Sequence, residues 1–143
     1  MAIKQISVFA ENKKGTAFSA LDVLADAGVD IRALSIAETT EYGILRFIVA
    51  DVEKATELLK NSGTIVTVTN VIAVQMPDAP GGLAGILGIL SNAGINIEYL
   101  YAFVATVAGH ACVVLRVQDN EEAEAVLVKN GMTLLTGEDI NKL

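Results

Sequence analysis

The chain has 143 residues, 52% of them hydrophobic and 5% aromatic, with 10 Lys plus Arg against 17 Asp plus Glu, a formal charge of −7 and a pI near 4.6. Net negative charge repels the phosphate backbone that supplies most non-specific nucleic-acid affinity, and it disfavours an anionic membrane surface for the same reason. The apolar content is too high for disorder, yet no run approaches the ~18 uninterrupted apolar residues of a spanning helix.

The mean hydropathy of +0.51 therefore describes buried surface in a soluble protein. The opening stretch MAIKQISVFAENKK lacks the continuous apolar core and small-residue cleavage site of a secretion signal. One cysteine, Cys112, has no internal disulfide partner. Both features point to the cytoplasm.

In chain order, residues 4–10 alternate apolar and polar side chains, the pattern of a strand. Ala17, Phe18, Ala20, Leu21, Val23 and Leu24 then recur at helical spacing over residues 16–27, and Gly28 supplies the residue that commonly ends a helix. Residues 31–39 and 44–50 read as two strands around the turn Glu41-Tyr42-Gly43. A second amphipathic helix, with Val52, Ala55, Leu58 and Leu59 inward, ends at Gly63 and is followed by a strand over residues 65–69.

The pattern then restarts. GTAFSALDVLADAGVDIRAL from Gly15 aligns without gaps on GGLAGILGILSNAGINIEYL from Gly81, an offset of 66, and Gly43 falls on Gly109. DVEKATELLKNSG from Asp51 matches DNEEAEAVLVKNG from Asp119 at an offset of 68, which places two extra residues near the start of the later helix. The second copy gives strands over 70–76, 97–106, 111–117 and 133–135, with helices ending at Gly94 and Gly131. Strand, helix, strand, strand, helix, strand, twice over, is the ferredoxin-like βαββαβ topology. The expected fold class is α+β: antiparallel sheets with helices on one face, in modules of residues 1–69 and 70–143. No Pro/Gly/Ser linker separates them.

Both faces of the second sheet are apolar in sequence. Tyr99, Tyr101 and Phe103 alternate with Leu100, Ala102 and Val104, and Ala111, Val113, Leu115 and Val117 with Cys112 and Val114. One face is the core. The other is either partly exposed or covered, and the size of the patch favours a cover, by the other repeat or by another subunit.

Catalytic chemistry is sparse. The one histidine, His110, follows the Gly109 turn, where an exposed hairpin residue is expected rather than a general base. Cys112 fits a small buried residue, and the pair cannot close a zinc site. The run Gly81, Gly82, Gly85 and Gly88 has neither a Gly-Lys-Ser/Thr ending nor the dinucleotide spacing, so Gly85 and Gly88 are read as allowing close helix packing. Glu121, Glu122 and Glu124 form a solvated acidic first turn. No cysteine pair suits copper, and no aromatic-basic strand suits RNA.

The stretch Met76-Pro77-Asp78-Ala79-Pro80-Gly81-Gly82-Leu83, followed by Ala93-Gly94-Ile95-Asn96-Ile97, resembles the ACT domain family. These are regulatory modules that bind amino acids and similar small effectors. The second repeat meets the pattern D-x-P-G-x-L and G-I-N-I in full. The first departs from it, with Lys14 for the proline, Ala17 for the leucine and Asp30 where Asn96 stands. The resemblance spans nearly the whole chain and implies a stand-alone tandem pair with no catalytic domain, no cofactor and no metal.

It further implies ligand-binding residues at Asn12, Lys14, Gly15, Thr16, Asp30 and Ile31 in the first repeat. Their counterparts are Asp78, Gly81, Gly82, Leu83, Asn96 and Ile97. ACT modules typically pair edge to edge, so the ligand is expected at module interfaces, the protein as a homodimer, and a regulated enzyme as a further partner. A glycine turn admits a ligand close to the backbone, and the N–H groups of the helix start favour its carboxylate. The alternative function is an interaction module that regulates an enzyme in trans through its apolar sheet face, and a catalytic role resting on His110 comes third.

Overall fold

The computed structural model describes residues 2–11, 13–38, 42–104 and 108–143. Its elements are β1 (Ile3–Glu11), α1 (Thr16–Asp26), β2 (Ile31–Glu38), β3 (Tyr42–Val49), α2 (Val52–Asn61) and β4 (Ile65–Pro77). They continue with α3 (Gly82–Asn92), β5 (Ile97–Ala102), β6 (His110–Val117), α4 (Asn120–Lys129), β7 (Thr133–Leu134) and α5 (Gly137–Asn141). The class is α+β, with βαββαβ laid down twice. The chain forms two compact units, Lys4–Thr69 and Asn70–Leu143, the second including Ile3. Among the described residues no helix is long and apolar enough to cross a membrane.

In the first unit β3 pairs with both β2 and β1, all antiparallel. Ile6 and Val8 of β1 and Leu45, Phe47 and Val49 of β3 meet Ala20 and Leu24 of α1 and Ala55 and Leu59 of α2 in one core. In the second unit β6 lies between β4 and β5, and β7 pairs with β4. Ile72, Val74, Val113, Leu115 and Val117 pack there on Ile86 and Leu90 of α3 and Ala123 and Leu127 of α4. Two-residue alternation sends the intervening side chains to the opposite face. That face is buried as well: Val71, Ala73, Tyr101, Phe103, Cys112 and Val114 in the second unit, and Gln5, Ser7, Ala33 and Ile48 in the first.

The first four helices end alike. At α1 the N–H groups of Gly28 and Val29 bond the carbonyls of Ala25 and Leu24 at 3.0 and 2.9 Å, and Gly94 and Ile95 repeat this at α3.

Four sequence expectations need correction. Tyr42 and Gly43 belong to β3 rather than to a turn. Strand register equates Leu34–Phe47 with Leu100–Leu115, so the offset has already reached 68 in β6. The two extra residues therefore fall in the connection between β5 and β6, and Gly43 corresponds to Ala111, not Gly109. A Cβ placed on Gly85 or Gly88 meets nothing within 4 Å, so neither glycine serves close packing. Helix α5 is an addition to the repeat, opened by Thr136 and Asp139 capping each other. Thr39, Glu41 and Thr106, assigned to strand or turn from sequence, lie outside the described residues.

Candidate effector-binding turns

The two strand-to-helix turns have the same backbone. Gly15 and Gly81 precede their helices at φ 83, ψ −4 and φ 87, ψ −6, left-handed values that favour glycine, and no side chain caps either helix. The other helices differ. Asp51 accepts from Lys54 N and Asp119 from Glu122 N, both at 3.1 Å, and Thr136 caps α5. Helices α1 and α3 thus leave first-turn N–H groups without a side-chain acceptor, at the positive end of the helix dipole.

Supporting contacts repeat too. Thr16 N donates to Lys13 O at 3.3 Å, and Gly82 N to Ala79 O at 3.1 Å. Gly82 is held by its surroundings, because a Cβ there would sit 2.4 Å from the Pro77 carbonyl oxygen. In the first turn the Glu11 carboxylate lies 2.6 Å from Lys13 Nζ and pushes the lysine pKa above its ordinary value, by hydrogen bonding and then by charge.

Lys14, Gly15, Asp78 and Gly81 are exposed, and Thr16, Gly82 and Leu83 are half-buried. Leu83, Ile31 and Ile97 are partly buried and pack against their cores. The Asp30 carboxylate is engaged by Arg32 at 3.2 Å, whereas Asn96 is exposed. Asn12 lies outside the described residues. Within one unit the predicted residues are not brought together. Gly81 and Asn96 flank opposite ends of the 11-residue α3, which at 1.5 Å per residue is about 16 Å long. Gly15 and Asp30 are separated in the same way by α1.

Asn96 lines two concavities. One, of about 860 Å³, is walled by Glu98, Asp119, Glu121, Glu122 and Glu124 with Asn70 and Asn120. The other, of about 600 Å³, runs between Leu87 and Ser91 of α3 and Tyr99 and Leu100 of β5. The first-turn glutamates of α4 thus form a cleft wall as well as a solvated surface. Their helical spacing and proximity to Asn96 could not be joined in sequence, because the segments are more than twenty residues apart. Among the described residues no group of three or more His, Cys, Asp or Glu is placed to hold a metal ion.

Over residues 1–143 the sequence matches the family described as an ACT domain pair. No curated protein sequence matches it. Among solved structures, protein BT0572 from Bacteroides thetaiotaomicron is similar over 100% of this chain and 98% of its own, at 39% identity and a TM-score of 0.92. The ligand-free regulatory subunit of aspartate kinase from Thermus thermophilus matches 90% of this chain with 90% of its own, at 20% identity and a TM-score of 0.68. The corresponding subunit from Thermus flavus shares the fold at 17% identity and a TM-score of 0.60, covering 88% of this chain and 90% of its own. With its whole length matched, and with two βαββαβ units opening their first helices on equivalent glycine turns, the chain belongs to the family of ACT domain pairs.

Proposed function

We propose that the protein is a non-catalytic regulatory module of the cytoplasm that binds a free amino acid or an effector of similar size at its glycine turns. The observation that carries this reading is the contrast between helices. Those starting at Gly15 and Gly81 have no side-chain cap, whereas α2, α4 and α5 are capped by Asp51, Asp119 and Thr136. A ligand carboxylate would take the place of the missing cap, and the Asn96 amide would bond the ligand from another direction.

Since α3 separates Gly81 from Asn96, the site is completed by a second copy of the chain. Strands β2 and β5, which begin beside Asp30 and Asn96, stand at the ends of the strand order and are the edges available for pairing. Membership of a family of regulatory modules supports the role, as does the fold shared with aspartate kinase regulatory subunits. The second reading, contact with an enzyme through an apolar sheet face, has little surface to work with, because the residues on that face are buried.

A thermal-shift screen of the twenty amino acids tests the proposal. At a hundredfold over its dissociation constant, a true ligand adds about 2.7 kcal/mol of stability. Asn96→Ala should reduce that gain while leaving the ligand-free midpoint in place. Absence of any shift across all twenty would refute amino-acid sensing.

A further inference from the structure

The first unit contains a concavity that the turn motif does not account for. A cleft of about 510 Å³, within the usual size range of small-molecule sites, opens between β1, α1 and the connector from α2 to β4. Its origin is visible in the repeat. Where Ala20, Val23 and Thr64 line the cleft, the second repeat carries the larger Ile86, Ile89 and Met132, and those three pack into the second core. The first repeat leaves open the space that the second fills.

The rim differs in the same sense. Phe9, Tyr42 and Ile65 line the cleft while 40%, 55% and 68% exposed. Strand register places Gln75 and His110 at the counterparts of Phe9 and Tyr42, and Thr133 matches Ile65, so the second repeat is polar at all three. Large apolar groups that converge on one opening in one repeat alone mark a surface meant to be covered.

Hydrogen bonding sets the polarity of the occupant. Ser19 Oγ donates to the Gly15 carbonyl at 2.9 Å, and Ser62 Oγ to the Leu59 carbonyl at 2.7 Å. A hydroxyl has one proton, so Ser62 must accept in its 3.0 Å contact with Thr64 Oγ1. Of the five hydroxyl-bearing residues in the lining, Ser19, Ser62 and Thr64 have committed their protons to the protein, and the Glu11 carboxylate, ion-paired with Lys13, stands at the mouth. Acceptors beside aromatic and aliphatic surface fit a donor carried on an apolar body.

We propose that this cleft binds a small primary amine bearing an aromatic or branched apolar group. The site is complete within one chain and shares only Thr16 with the candidate turn residues. It stands or falls independently of amino-acid sensing at Gly81 and Asn96.

Titration of phenethylamine into isotope-labelled protein, followed by NMR, tests the assignment. The expected result is saturable shifts centred on the cleft, with no effect from phenylacetate, which has the same ring and no amine. Copying the second repeat with Val23→Ile plus Thr64→Met should weaken binding tenfold or more. Ile65→Thr, at an exposed position, provides a second variant with the same expected loss, and Asn96→Ala should bind as the parent does. The proposal is overturned by shifts that do not saturate, by equal binding of phenylacetate, or by full affinity in the filled variant. It is equally overturned if Ile65→Thr alters sedimentation and leaves the amine titration unchanged, which would assign the patch to contact between copies of the chain.

Discussion

The three glycines at the start of α3 have unequal reasons to be there. Gly82 is required, because a methyl group would meet the Pro77 carbonyl oxygen at 2.4 Å. We expect Gly82→Ala to destabilise by about 1–3 kcal/mol, the range for forced overpacking. Gly85 and Gly88 face open space, so replacing either with alanine should stabilise by about 0.5–1 kcal/mol through lower chain entropy and higher helix propensity. Chemical denaturation of the three single variants checks both signs at once. The turn motif was legible because only a few residue types suit it. The second pair of glycines misled because sequence shows where side chains are missing but not what stands opposite. Cys112 illustrates the reverse case: its fully buried position in β6, expected from the apolar strand, pushes the thiol pKa up. An alkylating reagent should therefore label it only at the rate of unfolding, and denaturant should speed the reaction in step with loss of structure.

Elements were readable where period and a terminal glycine agreed, which covers the first helix and strand of each repeat, whereas the paired aspartate caps of α2 and α4 emerged only from the structure. The location of the insertion was not readable. Leu45, Phe47 and Val49 of β3 face the core as Val113, Leu115 and Val117 do in β6, and such apolar strand residues interchange freely, so similarity resumes only at Asp51 and Asp119. Helix α5 was missed although its signature, Thr136 followed three residues later by Asp139, stands in the sequence. The Thr136 backbone N–H and then its hydroxyl hold the Asp139 carboxyl below its ordinary pKa. A depressed carboxylate pKa contributes stability above the unfolded value and loses it as pH falls through the folded value. Asp139→Asn should thus be less stable than the parent near neutrality. The gap should close as pH drops through and below the ordinary carboxylate range, around pH 4, and denaturation midpoints measured across that range test it.

At the scale of the molecule, the sequence offered candidate site residues without a meeting place, since no single unit carries Gly81 and Asn96 to the same end of α3. The proposed dimer supplies the missing half. Its edge in the first unit is marked by Phe18 on α1 and Ile36 on β2, 67% and 53% exposed. The protein should sediment as a dimer, and Phe18→Glu with Ile36→Glu should give a folded monomer with weakened effector binding. A monomeric parent, or a dimeric double variant, would remove that edge from consideration. Helix α3 carries a final consequence. Its sequence, GLAGILGILSN, offers glycines and no charged pairs, so as an isolated segment it would not hold a helix. Its order comes from Ile86 and Leu90, both fully buried against the sheet. Amide protons along α3 should therefore exchange only when the second unit opens as a whole, at one common rate. An effector seated at Gly81 would slow that exchange along the entire helix, because occupying the turn stabilises a cooperative unit rather than a local loop.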